Sequence, residues 1–333
     1  MAYDAQVIRL AGAKLERQRK EHQQEQQARR ERLYSAYPRL KEIDAQLRRT
    51  VAEAAMSAFQ RGEDPSPRIR VLKESNLSLQ QERRALLGAA GYPEDALDET
   101  PLCRACGDRG WVGSEMCACL KALCADAQVK VLSSMLPLGN ASFETFSLDK
   151  YSHEPWLGME QTPQENMEFV RDMAWNFAKK FPRFSVRSLL FSGGTGLGKT
   201  FLSACIARTV AENGFSVVYD TAARIFAAFE EQKFQRTEEA EAAARRYLAC
   251  DLLILDDLGS ELTTTFVQSA LYTLINDRLV AGRHTVISTN LSTGEIMARY
   301  SPQIASRLLG EYETLLFYGD DIRLTPEEGE RFD

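Results

Sequence analysis

The densest chemistry in the sequence lies at residues 188–200, SLLFSGGTGLGKT. It contains G-x-x-x-x-G-K-T, with Gly193, Gly198, Lys199 and Thr200 in the fixed positions. Glycines let a backbone wrap an anion so that its N–H groups point inward. Gly193, Gly194, Thr195, Gly196, Leu197 and Gly198 would form that cradle. A helix opening near Lys199 would aim its positive dipole end at the same anion. Lys199 would add a point charge on the β and γ phosphates of a nucleotide, and the Thr200 hydroxyl could ligate Mg²⁺. The context fits, because the motif follows a short apolar run and precedes a helical pattern.

A second motif, 252-LLILDDLG-259, is four apolar residues followed by two aspartates. A buried strand ending in carboxylates delivers them to the crevice where α/β sheets bind ligands. Asp256 would hold Mg²⁺, directly or through water, and Asp257 would orient or deprotonate an attacking water. A third strand, 284-HTVISTN-290, ends in Asn290, which could reach the γ-phosphate or that water. Its other reading is a turn-forming Asn before the next helix.

Seven cysteines are an odd number, and four fall within 103-CRACGDRGWVGSEMCAC-119. The spacing is C-x₂-C, ten residues, then C-x-C. Clustering of this kind reads as metal ligation before disulfides. Cys103, Cys106, Cys117 and Cys119 could surround one tetrahedral Zn²⁺, with Cys124 as the substitute if the tight C-x-C pair fails. Four thiolates leave no open position, so the metal would be structural. One copy of the C-x₂-C element resembles a chaperone-type repeat, but Asp108 stands where Gly is required.

These motifs need elements to position them. Helical and strand-like segments alternate: 166–181 helix, 188–191 strand, 199–212 helix, 215–219 strand, 222–235 helix, 252–255 strand, 266–281 helix, 284–288 strand. Strands alternating with helices predict a parallel sheet covered on both faces. Upstream, Leu33, Tyr37, Leu40, Ile43, Leu47 and Val51 make one apolar stripe at helical spacing. The segment 61-RGEDPSP-67 interrupts it, and Ile69, Leu72, Leu79 and Leu86 resume it until Gly88 and Gly91. An antiparallel helical hairpin is expected, either a solvated arm or a partner-docking module. The turn-rich stretch 137-PLGNASFETFSLDKY-151 marks a domain boundary. The expected organisation is a helical partner-binding region at 1–100, a zinc module with its connecting helix at 101–136, and an α/β domain at 137–333.

The chain has 333 residues and a net charge of −6. Residues 1–60 hold 12 Lys/Arg against 8 Asp/Glu, a net +4, leaving −10 for the other 273. The acidic sum argues against a protein that coats duplex DNA unaided. No apolar run is long enough for a membrane span, and no secretory signal opens the sequence, so the expected location is the cytoplasm with no membrane partner. In 224-RIFAAFEEQKFQR-236, Phe226, Phe229 and Phe234 accompany Lys233 and Arg236, a pattern that suits contact with single-stranded DNA, although phenylalanines at helical spacing are more often core. Arg245 and Arg246 are further nucleic-acid candidates, while Cys205 and Cys250 read as packing residues.

The phosphate loop, LLILDDLG, the ISTN strand end, 305-ASRLLG-310 and 319-GDDIRL-324 together resemble the AAA+ ATPases over roughly residues 140–325. Within these the chain looks like the bacterial replicative-helicase loader clade (DnaC/DnaI type), with transposition-helper ATPases (IstB type) as close relatives. The resemblance implies a P-loop α/β domain that binds and slowly hydrolyses ATP with Mg²⁺, under stimulation by DNA. It implies that Arg307 is an arginine finger reaching a neighbour's ATP, so that the subunits self-associate through the ATP site. Arg323 would be the sensor arginine acting on the γ-phosphate of its own subunit. Such cations stabilise charge on a transferring phosphoryl group. The implied partners are a hexameric replicative helicase and single-stranded DNA; the alternative is a helper that binds duplex DNA and recruits a transposase. Two features depart from the broad AAA+ pattern. Asp257 stands where most members carry Glu, although the loader clade shares this pair. Only ten residues follow Arg323, which leaves no room for a separate lid domain.

Overall fold

The computed structural model describes residues 3–59, 66–135 and 141–324. The expected breaks at 61–67 and 137–151 therefore lie partly outside the described residues, as does the side chain of Ile69. The chain forms two compact units, one of Ala13–Cys117 and one of Met1–Gly12 with Ala118–Asp333.

The first unit is mostly helical. Helices α1 (Ala5–Ala36), α2 (Pro38–Phe59) and α3 (Ser66–Ala89) account for its first part. The stripe at 33–51 is thus carried by two helices and not one. Pro38 opens α2 because its missing N–H is no loss in a first turn, and Tyr37 alone separates the helices. Leu33, Leu40 and Ile43 are buried, whereas Val51, at the far end of the stripe, is exposed. Helices α2 and α3 run antiparallel, since Arg39 pairs with Glu82 and Thr50 with Asn76. Leu33, Leu40, Leu87, Ala96 and Leu97 form a small core. Beside it Arg83 bridges Asp44 at 3.0 Å and Asp98 at 2.7 Å.

The cysteine segment carries two short antiparallel strands, β1 (Trp111–Val112) and β2 (Glu115–Met116), turned at Gly113. Helix α4 (Ala118–Met135) follows.

The larger unit holds α5 (Pro163–Lys179), β3 (Ser188–Gly193), α6 (Lys199–Glu212), β4 (Val217–Thr221), α7 (Ala222–Gln235), α8 (Glu238–Ala249) and β5 (Leu252–Leu258). Helix α9 (Thr265–Val280), β6 (His284–Thr289), α10 (Thr293–Arg299), α11 (Pro302–Gly310) and β7 (Glu313–Phe317) complete it. The five strands pair in the order β4-β5-β6-β3-β7, all parallel. Successive strand residues face opposite sides. Leu189, Phe191, Ile254 and Val286 pack with Met167, Phe177, Leu202 and Ile206 of α5 and α6. Leu190, Leu253, Leu255 and Ile287 pack on the other side with Ile225, Tyr247, Leu271 and Leu308. The strands are therefore continuous apolar runs, as expected of a sheet covered on both faces. Buried Arg278 ties the bottom of this layer together by donating to the carbonyls of Tyr247, Cys250 and His284. Among the described residues no helix is long and apolar enough to cross a membrane.

The expected 215–219 strand is β4 at 217–221, and the expected strands at 188–191, 284–288 and 252–255 continue to Gly193, Thr289 and Leu258. Near that end β5 bulges against β6: Leu255 faces Ile287 and Leu258 faces Thr289, so Asp256 and Asp257 oppose Ser288 alone.

Candidate nucleotide site and cysteine centre

The phosphate loop runs from the tip of β3 into α6. Gly193 has φ 154°, and a Cβ there would lie 1.9 Å from the Phe317 carbonyl oxygen of β7. Gly198 has φ 88° and precedes the first turn of α6 without any side-chain cap. Helices α5, α7, α8, α9, α10 and α11 each carry a Thr or Ser cap that accepts a backbone N–H. The first N–H groups of α6 thus face the loop without a side-chain acceptor from the cap, which suits an anion. The Tyr151 hydroxyl donates to the Leu197 carbonyl at 3.1 Å and props the loop from beneath.

Three strand ends converge on this loop. Lys199 Nζ donates to the carbonyls of Gly193 (2.7 Å) and Gly194, and to Asn290 Oδ1 at 2.8 Å. Asn290 Nδ2 in turn donates to Asp257 Oδ1 at 3.1 Å. Burial lowers the Lys199 pKa to about 8; Asp256 and Asp257 oppose that shift and Arg323 adds to it. Asp256 accepts three hydroxyls: Thr200 at 3.2 Å, Tyr219 and Ser288. Burial first, then the Asp256 charge, raises the Tyr219 pKa, so this phenol remains a donor. Ser288 also accepts the Asp257 N–H at 3.0 Å, tying both aspartates to β6. Asp257 sits in the bulge with φ 58°, which turns its carboxylate toward Asn290 and away from the buried bond network of Asp256.

Lys199, Thr200, Asp256, Asp257, Ser288 and Asn290 line one cavity of about 560 Å³, together with Thr195, Gly196, Leu197, Gly198, Phe201, Thr221, Ile322 and Arg323, whereas Gly193, Gly194 and Tyr219 do not reach it. Its donors suit phosphate oxygens, and Thr200 beside Asp256 offers the oxygen pair that a hard cation such as Mg²⁺ takes. Arg307 does not line it. Its guanidinium stacks 4.5 Å from the Tyr272 ring centre and donates to Asn276 Oδ1 at 2.9 Å, on the α9–α11 side.

Tyr219 and Tyr151 lie outside the motifs, Ser288 and Asp321 lie within the ISTN and GDDIRL segments at positions the sequence does not single out, and all four are additions from the structure. Strand register was the available signal for Ser288: aligning the ends of β5 and β6 places it beside Asp256. Of the aromatic stretch, Phe226 is buried, Phe229 packs near Tyr247, and Phe234 is exposed with Lys233 over its ring. Two of the three phenylalanines are therefore core. Arg245 pairs with Glu241, and Arg246 with Asp4 and Asp220. Cys205 and Cys250 are buried packing residues, as expected.

The sulfurs of Cys103, Cys106, Cys117 and Cys119 all lie within 4.8 Å of one another. Cys103 and Cys117 are 3.7 Å apart. Tetrahedral zinc with Zn–S bonds of about 2.3 Å places sulfurs about 3.8 Å apart, so the set fits. Cys124 lies outside it, buried in α4, with its thiol pushed up to about 11 by burial. Asp108 resolves the earlier mismatch. It takes φ 61°, and its carboxylate accepts the N–H groups of Leu102 (3.1 Å) and Cys103 (2.7 Å). Gly110 N–H donates to Cys106 Sγ at 3.3 Å.

Residues 183–319 match a family described as IstB-like ATP binding protein. The chain is similar to the replicative helicase loader DnaC of Escherichia coli (strain K12), with 26% identity over 141 residues, 42% of this chain and 57% of the relative. It is also similar to the uncharacterized protein YdaV of that strain, with 27% identity over 118 residues, 35% of this chain and 47% of the relative. The chain thus spans about half the length of these curated relatives. Among solved structures it resembles a crystal structure of the DnaC helicase loader, with a TM-score of 0.44 and 18% identity over 53% of this chain and 98% of that one.

Proposed function

From the match of residues 183–319 to the IstB-like ATP binding protein family, we propose that the protein is an AAA+ ATPase, an ATP-dependent loader that delivers the hexameric replicative helicase onto single-stranded DNA. The observation that carries the ATPase part is the convergence of Lys199, Thr200, Asp256, Asp257, Asn290 and Arg323 on one cavity. The similarity to a replicative helicase loader supports the client.

In this reading the loop 193–200 holds the phosphates through its backbone N–H groups and the Lys199 charge. Thr200 and Asp256 hold Mg²⁺, which when bound neutralises charge on the phosphates. Tyr219 and Ser288 fix the Asp256 carboxylate in place. Asp257 accepts the proton of the attacking water, and Asn290 orients that carboxylate and the Lys199 ammonium together. Arg323 meets the γ-phosphate within the subunit, and Arg307, facing away from its own cavity, completes a neighbour's. The four cysteines hold a structural Zn²⁺, and the helices of residues 1–100 grip the helicase.

Asp257→Asn should lower ATP turnover by about a hundredfold, the scale of a lost general base, and single-stranded DNA should stimulate the native protein. Near-zero turnover in both proteins, with or without DNA, would leave only a nucleotide-gated adaptor. Purification from the native host with ATP present should bring down a hexameric helicase. The IstB-like match favours a second reading, a transposition helper. That protein would instead bring down a transposase and bind duplex DNA with a steep salt dependence.

A further inference from the structure

The segment after β7 folds back over the phosphate loop. Ile322 N–H donates to the Gly196 carbonyl at 3.1 Å, which pins residues 321–323 to the loop. The Asp321 carboxylate then fills the space beside Gly196: a Cβ on that glycine would lie 1.9 Å from Asp321 Oδ1. Gly196 also has φ 72°, so two independent reasons demand glycine here.

The same carboxylate takes both prongs of Arg323. Nε donates to Oδ1 at 2.9 Å and Nη2 to Oδ2 at 2.6 Å, while the Arg323 backbone N–H donates to Oδ1 at 3.0 Å. An arginine fork binds carboxylate and phosphate with the same two-point geometry. Asp321 thus offers Arg323 what a terminal phosphate would offer, within a residue or two of the cavity that Arg323 and Ile322 line. Arg323 is two-thirds exposed in this pair, while Asp321 is 22% exposed. With its guanidinium open to solvent, the arginine is available for a phosphate to capture, since an ion pair exposed on one side is weak.

We propose that Asp321 is a positioning residue that competes with the γ-phosphate for Arg323 and so sets how strongly the site distinguishes a nucleoside triphosphate from a diphosphate. This rests on the ATP-site reading of the cavity. When the triphosphate binds, Arg323 exchanges one anionic partner for another, and the net gain is smaller than a free arginine would give. A diphosphate does not reach Arg323 and leaves the Asp321 pair intact. Asp321 therefore lowers triphosphate affinity without touching diphosphate affinity, and keeps the ATP-bound state readily reversible.

The test is equilibrium binding of a non-hydrolysable ATP analogue and of ADP to the full-length native protein, Asp321→Asn, Arg323→Ala and the double variant. Asp321→Asn should bind the ATP analogue about threefold tighter, the scale of a lost exposed ion pair, with ADP affinity unchanged. In the Arg323→Ala background the same substitution should have no effect, because the competition needs the arginine. Asp321→Ser repeats the measurement if the Asn variant melts early. Equal or weaker binding of the analogue by Asp321→Asn overturns the inference. So does a gain that persists without Arg323, which would mark a general charge effect on the loop, or an equal gain for ADP. In all those cases the native protein still binds ATP and the site reading stands; a native protein that binds neither nucleotide overturns both.

Discussion

Lys199 meets two opposed demands. Its ammonium must be charged to hold a phosphate, yet the residue is only 7% exposed. Burial takes its pKa from 10.5 to about 8, against the upward pull of Asp256 and Asp257. A phosphate arriving beside it raises that pKa again, since an opposite charge favours the protonated form. The bound state thus holds a proton that the free site gives up above pH 8. Nucleotide affinity should be constant below that value and fall as pH rises through it, by up to about tenfold per unit. Titrating ATP affinity between about pH 6.5 and about pH 9.5 should show this, and Lys199→Arg, charged throughout, should flatten the curve. A flat profile for the native protein would mean that Lys199 stays charged in the free site. Lys199, Asp256 and Asn290 are legible in the sequence because each sits at a fixed offset from a glycine loop or the end of an apolar strand. Tyr219 and Ser288 are not. They bind the Asp256 carboxylate from 37 and 32 positions away, and no local pattern announces such a bond.

At the scale of elements, local signals served where a segment declares its own geometry. The apolar runs of β3, β5 and β6 and the spacing in α6 and α7 depend on nearest neighbours in the chain. Helices α8, α10 and α11 and strand β7 escape such reading. The first is alanine- and charge-rich, the next two are short, and β7 is an edge strand whose partner lies far upstream in β3. The cysteine turn shows what spacing alone cannot reach. The sequence makes Asp108 look like a defect in a glycine position, whereas its carboxylate accepts the Leu102 and Cys103 N–H groups and sets the first ligand. Partners that orient a ligand typically change metal affinity by about 10–100-fold. Metal analysis of the native protein should therefore give about one zinc per chain. Asp108→Ala, which also strains a residue at φ 61°, should surrender zinc to a chromogenic chelator at a concentration at least tenfold lower. Equal resistance to the chelator would reduce Asp108 to a turn former, and a native protein without zinc would leave the cysteine set unexplained.

At the scale of the whole molecule, the two late arginines separate by address. Arg323 lines the cavity of its own subunit, while Arg307 lies on the α9–α11 side, stacked on Tyr272 and tied to Asn276. A residue that acts at the γ-phosphate from that position must act on another copy, and head-to-tail contacts of this kind generate rings or filaments. The proposed division of labour can be read by mixing inactive variants. Arg307→Ala keeps an intact cavity but cannot complete its neighbour; Lys199→Ala has no working cavity but still presents Arg307. Each alone should be inactive. Mixed in equal amounts and allowed to exchange, they should recover turnover at up to about a quarter of the native rate, because one random junction in four joins a good cavity to a good arginine. Lys199→Ala mixed with Arg323→Ala should recover nothing, since both lesions fall in the same cavity and neither subunit can supply a complete one. Recovery in the second mixture would place Arg323 across the interface as well. Failure in the first, with exchange verified by labelled subunits, would return Arg307 to the role its contacts already describe, a clamp between α9 and α11.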